Sequence, residues 1–192
     1  IAGSDPAGWR KTTLEERHKI MYEAANRLGE MRGDLIGCMC AITGKTVVEG
    51  DVEVSEGIDY ARFYTTSMKL FADLPDVDIT PEGTVLVISP WNFPCAIPIG
   101  GIVAALAGGN TVILKPATVA APVAWLFAQA FWDAGVPKEA LQVIITDRDA
   151  LKVLTSAPAI KHIILTGGTD TAQNIARSNP STPLSAETGG KN

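Results

Sequence analysis

The chain has 192 residues, 46% of them apolar and 19% charged, with a formal net charge of −5. A chain this long buries roughly 70% of its unfolded surface, so it can fold without a disulfide or metal scaffold. The acidic balance gives no electrostatic footprint for nucleic acid or anionic membrane, and both partners are excluded as expectations. Cys38, Cys40 and Cys95 form neither a disulfide framework nor a metal knuckle, so a reducing cytoplasm and no metal are expected.

Residues 12–71 read as helical. Thr12-Thr13-Leu14-Glu15-Glu16 offers two overlapping capping boxes, in which a threonine hydroxyl and a glutamate carboxylate satisfy the first free amides. Met21, Ala24, Leu28, Met31 and Leu35 keep helical spacing, as do Val54, Ile58, Ala61, Thr65 and Met68. Gly33-Asp34 and Gly44-Lys45 mark breaks between helices. Gly44-Lys45-Thr46 has the ending of a phosphate-binding P-loop, but Met39 stands where its first glycine belongs and a helix precedes it. It reads as a helix end and a turn.

After the Pro- and Gly-punctuated segment from Pro75, short β-branched runs alternate with helical ones. Strands are predicted at 85–89, 111–114, 141–145, 160–165 and 183–186, and helices at 97–107, 121–134, 149–156 and 169–178. Pro122 suits a helix start, and Gly135 with Pro137 a helix end. The longest apolar stretch, 96–107, is broken by Pro98, Gly100 and Gly101 and is far shorter than the roughly 20 residues that span a bilayer. Continuous apolar strands joined by crossover helices imply an α/β fold: a doubly wound, Rossmann-like parallel sheet preceded by a helical layer. The expected division is residues 1–83 for the helical layer and linker, and 84–192 for the α/β core.

In such sheets ligands bind where the strands end. The strand-end segments hold Ser89-Pro90-Trp91-Asn92, Lys115, Gly167-Gly168 and Glu187-Thr188-Gly189. A glycine pair opening a helix lets a pyrophosphate approach backbone amides and the positive end of the helix dipole. A lysine at the next strand end can reach a ribose or phosphate. A buried amide can stabilise an oxyanion, and a desolvated carboxylate can take a proton from water near neutrality. Each has a plainer reading: Asn92 as a turn former, Lys115 as a solvated strand end, Gly167 as a turn, Glu187 as a surface acid. No Gly-x-Gly-x-x-Gly run occurs, and His18 and His162 have no partners at metal or triad spacing.

Four motifs in order, Pro90-Trp91-Asn92-Phe93-Pro94, Gly109 to Ala117, Leu165-Thr166-Gly167-Gly168-Thr169 and Glu187-Thr188-Gly189-Gly190-Lys191-Asn192, resemble the aldehyde dehydrogenase superfamily along essentially the whole chain. Ile88-Ser89-Pro90-Trp91-Asn92 and Ala186-Glu187-Thr188-Gly189-Gly190 are most similar to pyrroline-5-carboxylate (glutamate semialdehyde) dehydrogenases, including the dehydrogenase half of bifunctional proline-utilisation enzymes. The resemblance implies oxidation of a small-molecule aldehyde to a carboxylate with NAD or NADP. A cysteine thiolate attacks the carbonyl, hydride passes to the nicotinamide, and water hydrolyses the thioester. It implies Asn92 as oxyanion donor and Glu187 as general base. Ser89, Pro90, Trp91, Asn92, Lys115, Gly167, Gly168, Thr188 and Gly189 would form the cofactor cleft.

Departures from the family pattern are Thr118 in place of a ribose-gripping glutamate, Gly168 in place of a serine, and Ala172 in place of a glycine. The segment 73–83 is short for the strand pair that family members use in oligomerisation, although a homo-oligomeric parent remains the expectation. The family nucleophile follows the glutamate motif, so the chain is expected to be a piece that ends before the catalytic cysteine and is inactive alone. Cys38 and Cys40 fall in early helices and Cys95 matches no family cysteine. Two other readings stand beside this one: a non-catalytic protein that keeps the fold, and an acylating dehydrogenase that needs no base at Glu187.

Overall fold

The computed structural model describes residues 1–189; Gly190, Lys191 and Asn192, the end of the last motif, lie outside the described residues. Two 3-10 turns lead into three helices, α1 (Leu14–Glu30), α2 (Arg32–Thr43) and α3 (Val47–Ala72). Only the second of the two overlapping boxes forms: Glu16 N donates to Thr13 Oγ1, while the Thr12 hydroxyl donates to the Trp9 carbonyl. The first helix break falls at Met31, whose amide still bonds back to Arg27. At the second, Gly44 takes the left-handed conformation that ends a helix (φ 73°), and Thr46 with Glu49 forms a further capping box that starts α3. The segment with the P-loop ending is therefore a helix stop followed by a helix start.

Five strands follow, β1 (Thr84–Ile88), β2 (Thr111–Lys115), β3 (Leu141–Val143), β4 (Ile160–Gly167) and β5 (Leu184–Thr188). Between them run α4 (Ala96–Ala107), α5 (Ala121–Asp133), α6 (Arg148–Thr155) and α7 (Thr169–Ser178). All pairings are parallel, in the order β3-β2-β1-β4-β5. The chain winds outward from β1 to β3, returns past β1 and continues to β5, which is the doubly wound α/β arrangement. β1 and β2 differ from their predicted bounds by at most one residue at either end, and β3, β4 and β5 by two at the carboxyl end. β3 stops at Val143, with Ile144 N making one more bond to Leu114 O and Ile145 exposed. β4 runs on to Gly167 because Thr166 and Gly167 pair with Glu187 and Thr188, which draws those two residues out of the predicted loop and into β5.

Alternation along β1 divides the interior in two. Val85 and Val87 join the larger apolar cluster, built with α1–α5 around Met21, Leu28, Ile99, Phe127 and Phe131. Leu86 and Ile88 face the other side, where Ile160, Ile163, Leu165 and Ile175 make a smaller cluster under α6 and α7. Helices α3 and α4 approach closely because Gly57 and Gly100 have no side chains: a Cβ on Gly57 would lie 3.0 Å from Ile99 Cδ1, and one on Gly100 3.2 Å from Tyr60 Cδ2. A buried guanidinium ties α1 to the end of α4, with Arg17 Nε donating to the Ala107 carbonyl at 3.0 Å. Among the described residues, no helix is long and apolar enough to cross a membrane.

Candidate functional site

β1 and β4 lie side by side, with Ile88 opposite Leu165 at their carboxyl ends. From there β1 leads toward α4 on one face of the sheet and β4 toward α7 on the other. That divergence is the topological switch point, where open α/β sheets bind ligands. A cavity of about 1500 Å³ opens there. Its lining includes every residue the sequence suggested for a cofactor: Ser89, Pro90, Trp91, Asn92, Lys115, Gly167, Gly168, Thr188 and Gly189, with Glu187 beside them.

The loop after β1 is stitched to β2 by two backbone bonds, Ser89 N to Lys115 O at 3.3 Å and Ala117 N to Ser89 O at 3.1 Å. Ser89 is only 5% exposed. Its Oγ has no hydrogen-bond partner among the described residues, an unmet polar group in the wall of the cavity. Lys115 is half-buried at the end of β2, and burial pushes its ammonium below the usual lysine range. Gly167 is the last residue of β4, and Gly168 stands at the start of α7 without a side-chain cap. Neither has a positive φ. Their use is space: a Cβ on Gly168 would meet only Thr171 Oγ1 at 3.9 Å, so the strand–helix junction presents bare backbone to the cavity. The uncapped first amides of α7 face no competing side-chain acceptor within their own helix start, which suits an anion.

Two cations that the sequence reading did not single out, Arg148 and Lys152, line the same cavity from α6. Their spacing of four on a short helix after a strand end was the available signal. Lys152 is paired with Asp149 at 2.9 Å, and both side chains are exposed.

Two expectations about environment are not met by the described residues. Asn92 is exposed rather than buried, and Trp91 beside it is 56% exposed. Glu187 is also exposed, on a strand that pairs with β4 along one edge. On the α3 side, the Tyr60 hydroxyl donates to Glu56 Oε1 at 2.8 Å. That bond, then burial, pushes the Tyr60 phenol up to about 12, and the Glu187 carboxylate adds a smaller push in the same direction.

None of the three cysteines lines the cavity. Cys38 and Cys40 lie in α2, and burial raises the Cys38 thiol. Cys95 is 0% exposed at the start of α4, where burial and then the Glu53 carboxylate drive its thiol far above the ordinary range. A thiol held protonated and out of solvent is not a nucleophile. Glu53 itself, 1% exposed, is a buried acid that the sequence did not announce.

The aldehyde dehydrogenase family model matches residues 2–192. The chain belongs to the aldehyde dehydrogenase family. Within it, the chain is 36% identical over 193 residues to the bifunctional protein PutA of Klebsiella aerogenes, covering 96% of this chain and 15% of that protein. It is 34% identical over 178 residues to a 1-pyrroline-5-carboxylate dehydrogenase of a Geobacillus species, covering 87% of this chain and 35% of that protein. The solved structure of proline utilization A from Corynebacterium freiburgense superimposes with a TM-score of 0.91 at 39% identity, over 96% of this chain and 20% of the other. The chain thus spans about a third or less of the length of these family members.

Proposed function

We propose that this chain forms the NAD(P)-binding part of an aldehyde dehydrogenase that oxidises glutamate semialdehyde, in equilibrium with pyrroline-5-carboxylate, to a carboxylate. The observation that carries the reading is the switch-point cavity, in which the unmet Ser89 hydroxyl, the Lys115 ammonium and the bare Gly167-Gly168 backbone converge. Those groups fit a dinucleotide. Gly167, Gly168 and the first amides of α7 suit its pyrophosphate, Lys115 suits a ribose or phosphate, and Ser89, Pro90 and Trp91 line the adjoining wall. A bound nicotinamide supplies the hydride acceptor.

In the reaction, a cysteine thiolate adds to the aldehyde carbon while the Asn92 side-chain amide donates to the oxygen that gains charge. Loss of one such donor typically raises a barrier by roughly 2.7–4 kcal/mol. Lys115 and the Gly167-Gly168 junction would hold the dinucleotide that accepts hydride from that carbon, leaving it as a thioester. Glu187 then takes a proton from water, the water oxygen attacks the thioester, and carboxylate and thiol are released. The thiol is assigned outside Cys38, Cys40 and Cys95, because none of them lines the cavity. The 192-residue chain is therefore expected to bind dinucleotide without turning over aldehyde.

Isothermal titration of the chain with NAD and with NADP tests this directly. Saturable binding with a Kd of about 1 mM or tighter, worth roughly 4 kcal/mol, is expected. Failure of both dinucleotides to bind at millimolar concentration overturns the reading.

A further inference from the structure

Helix α4 begins without help from its own sequence, because its N-cap, Cys95, makes no side-chain capping bond. The free amides there are satisfied from far away in the chain. Glu53, in the middle of α3, accepts from Cys95 N at 2.7 Å and from Ala96 N at 3.1 Å through the same carboxylate oxygen, Oε1. Its other oxygen lies 3.0 Å from Lys45 Nζ, and the Lys45 side chain is itself largely buried. Lys45 Nζ also sits 4.1 Å from the centre of the Phe93 ring. Burying a carboxylate to 1% exposure is expensive even when it is paired, and a serine or threonine at position 95 would cap the helix more cheaply. What the distant carboxylate adds is a tie between α3 and the loop that precedes α4.

That loop carries Asn92. Its entry is fixed by the Ser89 bonds to Lys115 and Ala117, and its exit by Glu53 at Cys95 and Ala96. Phe93, next to Asn92, is held under the Lys45 cation. We propose that Glu53, with Lys45, is a positioning residue that sets the place and orientation of the Asn92 side-chain amide and of the Pro90-Trp91 wall of the cofactor crevice. It acts through the backbone of the loop and touches neither substrate nor cofactor. The inference rests on the function proposed above for Asn92 and the crevice.

The experiment uses the isotopically labelled 192-residue chain and two variants, Glu53→Gln and Lys45→Met. Three quantities are read: exchange of the Cys95 and Ala96 amides, the side-chain amide resonances of Asn92, and affinity for NAD. In Glu53→Gln the two backbone amides exchange about tenfold faster or more, the Asn92 resonances shift and broaden, and NAD binds about tenfold more weakly. Lys45→Met, which keeps the carboxylate and both backbone bonds, shifts the Asn92 resonances in the same direction by less. It carries the test if the first variant does not fold.

A lowered urea midpoint with Asn92 resonances and NAD affinity equal to wild type would make Glu53 a structural cap for α4 and overturn the proposal. So would unchanged Asn92 resonances in Lys45→Met when that variant alone can be measured. If the wild-type chain itself binds no dinucleotide, the functional reading falls instead, and the Asn92 resonances decide the positioning role on their own.

Discussion

Lys115 combines a stability penalty with a predicted binding gain, and replacing it by methionine separates the two. The ammonium is half-buried at the end of β2, and its pKa lies below the ordinary 10.5 because burial disfavours the charge. A lysine and a phosphate about 4 Å apart attract by ~4 kcal/mol at an effective dielectric of 20. Partial exposure reduces this to about 1.5–2 kcal/mol, a tenfold to thirtyfold change in Kd. Lys115→Met is therefore expected to weaken NAD and NADP binding by that factor. The free chain keeps its stability or gains up to about 1 kcal/mol, because a desolvated cation is replaced by an apolar side chain of similar length.

The pH dependence has a definite sign. With the folded pKa below the unfolded one, the unfolded chain holds more protons in the window between them, so free-chain stability rises as pH climbs through that window toward 10.5. Dinucleotide affinity falls over the same range as the ammonium is lost. Titration calorimetry and urea unfolding on the same samples check both halves. An affinity unchanged by the substitution would remove Lys115 from the phosphate contacts, and a destabilised free chain would show that burying its ammonium costs nothing.

Two further outcomes follow from the packing. Cys95 should resist a thiol reagent at neutral pH until the chain unfolds, since it is fully buried with a raised pKa; rapid labelling of Cys95 in the folded chain would return it to candidacy as a nucleophile. Gly100→Val should lower stability by about 1–3 kcal/mol by driving a side chain into the Tyr60 ring, and a urea midpoint equal to wild type would show that α3 and α4 are less tightly apposed than described.

Much of the fold was legible because its signals are local. Val85-Leu86-Val87-Ile88 is a run that only a sheet covered on both faces would bury, and it is β1. The nine cofactor candidates were legible for a different reason: they carry family motifs, and the strand order then gathers them at one switch point. Part of what escaped was long-range. Glu53 in a helix reads as a surface acid until α4 arrives 42 residues later with two amides to satisfy. The Thr46–Glu49 box was hidden by the Gly-Lys-Thr triplet it overlaps. A strand predicted to end at 186 leaves Glu187 just beyond it, whereas pairing with Thr166 keeps Glu187 in the strand. The exposure of Asn92 and Glu187 agrees with their plainer readings as turn former and surface acid, and motif identity could not choose between those and the buried readings.

The unequal apolar clusters on the two faces of the sheet bear on how the molecule opens. One wall of the crevice belongs to the large cluster through the start of α4. The other belongs to α6, α7 and β4, whose smaller cluster has six buried members among the described residues, Leu86, Ile88, Ile160, Ile163, Leu165 and Ile175, with partly buried side chains such as Leu151 and Leu154 against them. Local unfolding is cheapest where the fewest apolar contacts are lost, so the α6–α7 half is expected to open before the rest of the molecule. A ligand bridging both walls binds only the closed form and opposes that opening by mass action. Occupancy of the crevice, more than the quality of the main core, then governs how long this half withstands proteolysis.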